Sequence, residues 1–341
     1  MEEKAKKARF FDLPKSVQWA AWMLLGFGIY VCWDQYYWWT NREDYSFGFL
    51  VPFFVGYVLT ERWTKLAEFY LNERPKESGS PSRCWSHTWE VFFSIVFLLA
   101  LLSMALGSLL RATQGPQTPA SLSIAWGYCW LILSTVFLFS GENQHGEGIP
   151  VRRRFQVVGL FLFPALIWLI SAPLLTFLER NLSLFLLNRV SAIVFFLFDL
   201  FGTPIEQEGN VLFLGLLENG EPNRVMVEDA CSGIRSLMAC LFAGSFLAAV
   251  FMEKLWKKIL LVVLAMAFAF VMNVGRSLFL TLWAYNYGAS SIKGSVHDIT
   301  GYAVLGLTCL GLILLLPILN FKHQFSESFS GEEEGAALSS G

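Results

Sequence analysis

Long apolar runs recur along the whole sequence, and they constrain the fold more than any other feature. A bilayer core takes about 20 mostly apolar residues to cross, and a span in lipid must satisfy its backbone polar groups internally. The sequence therefore predicts an all-α polytopic membrane protein. The runs lie at 17–38, 46–60, 88–110, 120–140, 156–178, 182–201, 233–252, 258–285 and 301–320.

The composition agrees with this class. Hydrophobic residues make up 55% of the 341 residues and charged residues 15%, against about 45–50% and about 25% in soluble domains. The first run is long and aromatic, and no small-residue cleavage site precedes the next charged stretch. We therefore expect a retained first helix rather than a cleaved signal peptide.

Basic residues indicate the orientation, since lysine and arginine collect in cytoplasmic loops. They cluster in the head at 1–16, in the loop at 61–87 and at 152–154, and again at 254–258. All these regions are expected to be cytoplasmic, with the N-terminus. The sequence then divides into a cytoplasmic tail at 1–16, a transmembrane domain at 17–320 and an acidic tail at 321–341, which we expect to be disordered.

The run at 182–201 conflicts with this orientation if every run crosses. Five spans leave the chain outside near residue 180, and the run at 233–252 must begin outside to bring residues 254–258 inside. The run contains Asn188, Arg189 and Asp199, which suits a helix lying in the interface or re-entering from the outer side. We predict about eight transmembrane helices plus this interfacial helix; the alternative is an ordinary span and a different helix count elsewhere.

Residues 202–230 form the longest predicted connection on the outer side. Two short apolar runs, VLFLGLL and RVMVED, flank the turn-forming NGEPN, a pattern typical of a β-hairpin. The hairpin leads to the stretch VEDACSGIRSL at 227–237, in which Cys231 precedes an apolar helix.

Arg276 and His297 are predicted to return to the same membrane face as Cys231. The chain runs inward for about 20 residues from Cys231, turns at 254–258 and runs outward for about 18 residues to Asn273 and Arg276; at 1.5 Å per residue the two legs are similar in length. His297 follows an outer loop and precedes the last helix. Thiol, guanidinium and imidazole on one face indicate acyl transfer.

Each of these residues also has a structural interpretation. A buried cysteine is often a small hydrophobe, an arginine in an apolar helix can reach lipid phosphates, and a lone histidine is often a polar surface residue. Cys231 differs in its neighbourhood, because Arg235 one turn later and the helix N-terminus both stabilise a thiolate.

Some residues beside Cys231 support its interpretation as a reactive thiolate, and others oppose it. Gly233 permits close backbone approach, and Ser232 is a candidate helix cap. Glu228 and Asp229 oppose a thiolate, and Asp229 is a second candidate cap.

Three motifs resemble the exosortase/archaeosortase family of membrane transpeptidase-like enzymes. They are ACSGIRSL around Cys231, NVGR ending at Arg276 and HDITG beginning at His297. The stretch YSFGFLVP at 45–52 is similar to a further family motif, with Phe47 where histidine is usual. The resemblance covers roughly residues 20–320.

The resemblance implies a thiol protease or transpeptidase of the bacterial inner membrane, associated with exopolysaccharide production, with its active site on the periplasmic face. Its partners would be exported proteins carrying a C-terminal Pro-Glu-Pro-type signal, a transmembrane helix and a basic tail. Cys231 would form an acyl-thioester, while Arg276 and His297 would share proton transfer and oxyanion stabilisation in an assignment left open. Asn273 would orient Arg276 and Arg235 would hold a substrate carboxylate, or each would simply hydrogen-bond within the bundle.

Other chemistry finds little support in the sequence. The four histidines are scattered, no Cys/His spacing suggests a metal site, and no phosphate-binding loop or basic aromatic surface for nucleic acid is present. We expect no cofactor. The alternative function is a transporter or membrane assembly scaffold in which Arg276 and acidic residues line a substrate path; against it, no repeat of two related halves is detectable.

Overall fold

The computed structural model describes residues 8–71, 83–141, 149–216, 220, 222–226 and 234–338. For residues 83–85 and 320–338 it describes the backbone only. The α-helices of the described residues are α1 Lys15–Asn41, α2 Val51–Glu61, α3 Trp63–Leu71, α4 Arg83–Gln114, α5 Thr118–Phe139, α6 Val151–Ile170, α7 Thr176–Leu200, α8 Ile234–Phe251, α9 Leu255–Tyr287 and α10 Ser295–Leu338. Three short 3₁₀ helices lie at Phe10–Asp12, Glu43–Leu50 and Ala289–Ile292. The strands are β1 Glu206–Glu208, β2 Val211–Leu216 and β3 Pro222–Met226.

Eight helices in the described ranges are long and apolar enough to cross a membrane: α1, α4, α5, α6, α7, α8, α9 and α10 up to Leu319. This confirms an all-α polytopic membrane protein with about eight spanning helices. The set of apolar runs that form these eight helices differs from the predicted set at two places. The run at 46–60 is divided between a 3₁₀ helix and the short α2, whereas the run at 182–201 lies in α7, which meets the length and hydropathy criteria of a span. Its predicted interfacial position stays a prediction.

The contacts divide the chain into two compact units, residues 1–178 and 179–341. In the first unit, proline starts several helices: Pro14 and Pro150 cap α1 and α6, and Pro52 lies in the first turn of α2. Proline suits this place because its missing N–H would be unsatisfied there anyway. The division of the 46–60 run follows from Pro52, since an uninterrupted helix would need that N–H.

In the first unit, the segment at 42–63 runs from the end of α1 back to the end where α1 begins. The Trp39 indole N–H near the end of α1 donates to the Ser171 carbonyl at 3.3 Å, and the Trp63 indole N–H donates to the Ala8 carbonyl at 2.9 Å. Residues 62–63 therefore lie at the end where α1 begins, although α2 alone has only 11 residues. That this end is the cytoplasmic one stays a prediction.

The motif at 45–52 packs against the far end of α1. Tyr45 is 1% exposed, and its hydroxyl accepts the Leu174 backbone N–H at 3.0 Å. The Trp39 indole lies directly on Gly48, where an added Cβ would overlap the ring. Tyr45 and Gly48 therefore have structural roles in the first unit, whatever residue occupies position 47.

An ion pair links α1 and α4 inside the first unit. Arg111 Nε lies 2.9 Å from Asp34 Oδ1, and the Asp34 side chain is fully buried. The Arg111 guanidinium also stacks on the Trp33 ring, 5.0 Å from its centroid. A buried carboxylate requires such a partner, because an unpaired charge in an apolar interior is very unfavourable.

An arginine compensates for the proline inside α6. Pro164 has no N–H to donate to the carbonyl of Leu160, four residues earlier. The Arg62 guanidinium, from the turn between α2 and α3, donates to that carbonyl instead. Burial lowers the pKa of Arg62, but a guanidinium remains protonated under ordinary conditions.

The second unit is built around α7, the sheet and the last part of α9. The buried side chains in this cluster come from α7 (Leu187, Val190, Val194 and Phe198), from the sheet (Leu212, Leu214 and Val225) and from α9 and the following turn (Leu280, Ala284 and Ile292). Strands β2 and β3 pair antiparallel, which confirms the predicted hairpin, and β1 adds an unpredicted third strand beside β2.

Helices α8, α9 and α10 form an antiparallel series. Gly244 of α8 lies against Ala265 of α9, where an added Cβ would approach to 2.7 Å. The Lys257 ammonium, near the start of α9, donates to the Leu319 carbonyl of α10 at 2.8 Å. The start of α10 therefore lies beside the last third of α9. Helix α10 continues to Leu338. The disordered tail predicted at 321–341 stays a prediction.

Candidate functional site

Helices α9 and α10 together position Arg276 and His297. Arg276 lies on α9 and His297 in the first turn of α10, 21 positions later. Gly301, one turn into α10, faces the guanidinium: a Cβ at this position would lie 3.5 Å from Arg276 Nη2. This is an ordinary van der Waals distance, so the guanidinium lies directly beside the helix that carries the histidine.

Two hydrogen bonds connect the arginine to the histidine. Arg276 Nη2 lies 3.0 Å from His297 Nε2 and donates to the His297 backbone carbonyl at 3.2 Å. Because a guanidinium only donates, Nε2 must be the acceptor in this contact. The sequence prediction that these residues converge is therefore met by direct contact between their side chains.

Asp298 completes the hydrogen bonding of the imidazole. His297 Nδ1 lies 3.3 Å from Asp298 Oδ1. With Nε2 accepting, a neutral ring carries its hydrogen on Nδ1 and donates it to this carboxylate. The side chain of His297 is 37% exposed and that of Asp298 67% exposed, so the imidazole has access to a partner from outside the two helices. Sequence reasoning missed Asp298, although its place next to the histidine was the available signal.

Arg276 retains one unused donor. Its Nε is buried and has no hydrogen-bond partner within the part of the chain described. An unsatisfied buried N–H costs about 1–3 kcal/mol, and this group would be satisfied by an anionic oxygen. The arrangement thus offers a cationic N–H donor next to an imidazole with a lone pair.

Two predicted supporting residues lie on the neighbouring helices. Asn273, one turn before Arg276 on α9, is 4% exposed. Arg235 is exposed in the first turn of α8. Their proposed roles in orienting Arg276 and holding a carboxylate stay predictions.

The predicted nucleophile lies outside the described residues. Cys231, Ser232 and Gly233 directly precede Ile234, the first residue of α8. The helix is described from that point. Leu237 and Cys240, in its first two turns, pack with Ala269 of α9, so α8 begins at the level of the α9 segment that leads to Arg276.

A cleft opens beside His297 in the second unit. It has a volume of about 570 Å³ and lies between β3 and the segment at 289–294, with His297 in its wall. Arg224 of β3 and Lys293 contribute positive charge to its lining. Neither residue is among the site residues predicted from the sequence. The available signal was that each lies in a predicted outer loop next to an apolar element.

No metal centre is formed by the side chains that the structure describes: they contain no group of three or more His, Cys, Asp or Glu residues placed to hold an ion. The described site contributes a guanidinium, an imidazole and a carboxylate.

Comparison with known proteins identifies the family. The family model described as transmembrane exosortase (Exosortase_EpsH) matches residues 38–314, a range that includes Cys231, Arg276 and His297. No curated protein and no solved structure was found to match the chain significantly. Since the matched range covers more than half of the sequence, the chain belongs to the transmembrane exosortase family.

Proposed function

We propose that this protein is a membrane cysteine protease or transpeptidase that cleaves the C-terminal sorting signals of exported proteins. The observation that carries the proposal is the contact between Arg276 and His297, two residues from different helices that the family resemblance pairs with Cys231. Family membership supports a role in processing sorting signals. The substrate would carry a Pro-Glu-Pro-type signal, a transmembrane helix and a basic tail.

Cys231 is the proposed nucleophile. Its sulfur attacks the scissile carbonyl, the C–N bond breaks, and the substrate acyl group is held as a thioester until water or an amine displaces the sulfur. The thioester carries the bond energy needed for transfer, so both acceptors use the same first step. No cofactor is required by this chemistry.

His297 is the proposed acid and base. Its Nε2 lone pair can take the thiol proton and then return it to the leaving amine, as an imidazole does efficiently near neutral pH. Asp298 holds the ring in the tautomer that carries this lone pair on Nε2. The lone pair accepts the Arg276 Nη2–H in this structure, so proton transfer requires the guanidinium to turn from the ring towards the substrate oxygen. This assignment chooses between the two roles that the sequence leaves open.

Arg276 is the proposed oxyanion donor. A guanidinium remains protonated and so suits stabilisation of the negative oxygen in the tetrahedral intermediate. Its unpartnered Nε provides a donor that no described group uses. We place the site on the outer face of a bacterial inner membrane, with the N-terminus in the cytoplasm, because the basic loops favour that orientation.

The test is processing of a signal-bearing exported protein by Cys231→Ala. We expect uncut substrate to accumulate while the variant inserts normally. Cys309→Ala is the matched control, because Cys309 is exposed and lies on α10 far from residue 231 in sequence, and it should process normally. Wild-type processing by Cys231→Ala would exclude the thioester mechanism.

The orientation has its own test. A membrane-impermeant thiol reagent should label a cysteine placed at Gln207 in intact cells, in a chain whose own cysteines are replaced by serine. Labelling that requires permeabilised cells would place the sheet on the cytoplasmic side and contradict the proposed location.

A further inference from the structure

The cleft beside His297 has the dimensions and walls of a binding site for part of a substrate. Its volume of about 570 Å³ lies within the range of about 300–1,000 Å³ typical of ligand pockets. One wall is β3, the other is the segment at 289–294, and His297 lies where the cleft meets the proposed reaction site. A group bound in the cleft would therefore be adjacent to the bond being cut.

Asn223 fixes the two walls relative to each other. Its side-chain amide donates to the Ala284 carbonyl and accepts the Ala289 backbone N–H, both at 3.0 Å. The side chain is 3% exposed, so these bonds are shielded from water. A fixed pair of walls reduces the entropy lost when a ligand is bound.

The charge of the described lining favours an anion. Its lining contains Arg224 and Lys293 and no acidic residue among those described. Both side chains are exposed, and neither forms an ion pair with another described residue. The remaining lining is mostly small or apolar, including Val225, Met226 and Ala289, which suits a peptide better than a free ion.

We propose that this cleft binds an acidic side chain of the substrate peptide close to the scissile bond, with Arg224 and Lys293 as its charged partners. The proposal rests on the proposed proteolytic function. A carboxylate held there would set the register of an extended peptide, because its neighbours in the chain must then pass His297. Arg224 and Lys293 are thus specificity residues, and the reaction itself takes place next to them.

The experiment uses the full-length protein in membranes and a substrate whose cleavage depends on Cys231. Each acidic residue within about six positions of the cleavage site is replaced in turn by glutamine, and the acid that matters is identified. Processing of the acidic substrate and its glutamine version is then measured for the wild type, Arg224→Gln and Lys293→Gln. Gln207→Glu is the control, because it changes the net charge by the same amount on β1, at the other edge of the sheet.

For the acidic substrate, each cleft variant should lower kcat/KM about tenfold, chiefly through KM, as expected on losing one charged hydrogen bond. Processing of the glutamine substrate should change little, and the control variant should match the wild type on both. Arg224→Glu should in addition prefer a substrate in which the acid is replaced by lysine.

Equal activity of the cleft variants and the wild type on the acidic substrate would overturn the proposal. So would an equal loss on both substrates, which would indicate an occupant such as a lipid phosphate rather than a peptide acid. These results differ from a failure of the proposed function, in which the wild type itself would show no Cys231-dependent cleavage of either substrate.

Discussion

Replacing His297 by glutamine separates its proposed proton transfer from its hydrogen bonding. The amide oxygen of glutamine can accept the Arg276 N–H that now lies 3.0 Å from Nε2, but an amide does not exchange a proton near neutral pH. Alanine removes both properties. If His297 is the acid and base, His297→Gln and His297→Ala should be equally impaired in processing.

The expected losses follow from these contacts. Removing an acid or base lowers the rate about 100- to 10,000-fold, and both variants should show this. In stability they should differ: His297→Ala removes the side-chain acceptor of Arg276 Nη2 and leaves this group only the backbone carbonyl at position 297, at a cost of about 1–3 kcal/mol. His297→Gln should recover most of that loss.

The variant His297→Arg does not separate proton transfer from hydrogen bonding, although its guanidinium could donate to an oxyanion. It would place a second guanidinium beside Arg276, where two charges about 4 Å apart repel by about 4 kcal/mol at an effective dielectric constant of about 20. Loss of activity in that variant would then reflect displacement of Arg276 rather than the role of the imidazole.

The assay is single-substrate processing at matched amounts of inserted protein, with thermal unfolding in detergent measured in parallel. Activity of His297→Gln far above that of His297→Ala would show that the imidazole is not an obligatory base and that its part is to hold Arg276. Wild-type activity in both variants would remove His297 from the mechanism altogether.

Two further predictions concern the first unit and are checked by thermal unfolding in detergent. Arg62→Ala should reduce the free energy of unfolding by about 1–3 kcal/mol, because it leaves the partly buried Leu160 carbonyl without a donor. The loss should be smaller in a Pro164→Ala background, where the helix supplies its own N–H. Equal losses in both backgrounds would contradict the pairing. Gly48→Ala should destabilise the protein by about 1–3 kcal/mol, because its methyl group overlaps the Trp39 indole. Gly56→Ala, with open space around it, should leave the stability unchanged. A Gly48→Ala variant as stable as the wild type would refute the packing.

Much of this fold is accessible from the sequence because lipid leaves few choices for the backbone. Long apolar runs must become helices, and the turn residues between VLFLGLL and RVMVED are enough to predict the hairpin that β2 and β3 form. The shared membrane face of Arg276 and His297 is predictable from helix length and from the outer loop before His297, since the rise per residue sets the depth to which a chain returns. Their direct contact is seen only in the structure.

The remaining features depend on information that apolar runs do not contain. Hydropathy overlooks Pro52, whose missing N–H makes the helix begin at Val51 and divides the 46–60 run. The cleft depends on the tertiary placement of β3 beside the segment at 289–294. These two segments are far apart in sequence, and no common period connects them. The carboxylate of Asp298 acts on the neighbouring ring only because the first turn of α10 orients both.

The buried pair of Asp34 and Arg111 has a consequence for biogenesis. An aspartate in an inserted helix carries a penalty of up to about 3 kcal/mol, and α1 enters the membrane before α4 has been synthesised. The inserted state of α1 is therefore less stable before α4 has been synthesised, and pairing of Asp34 with Arg111 then stabilises it. Asp34→Leu should raise the insertion efficiency of a fragment ending before α4 and change that of a fragment containing α4 much less; equal gains in both fragments would show that the two helices enter independently. Assembly of this unit thus links an early helix to a later one through a single pair of opposite charges.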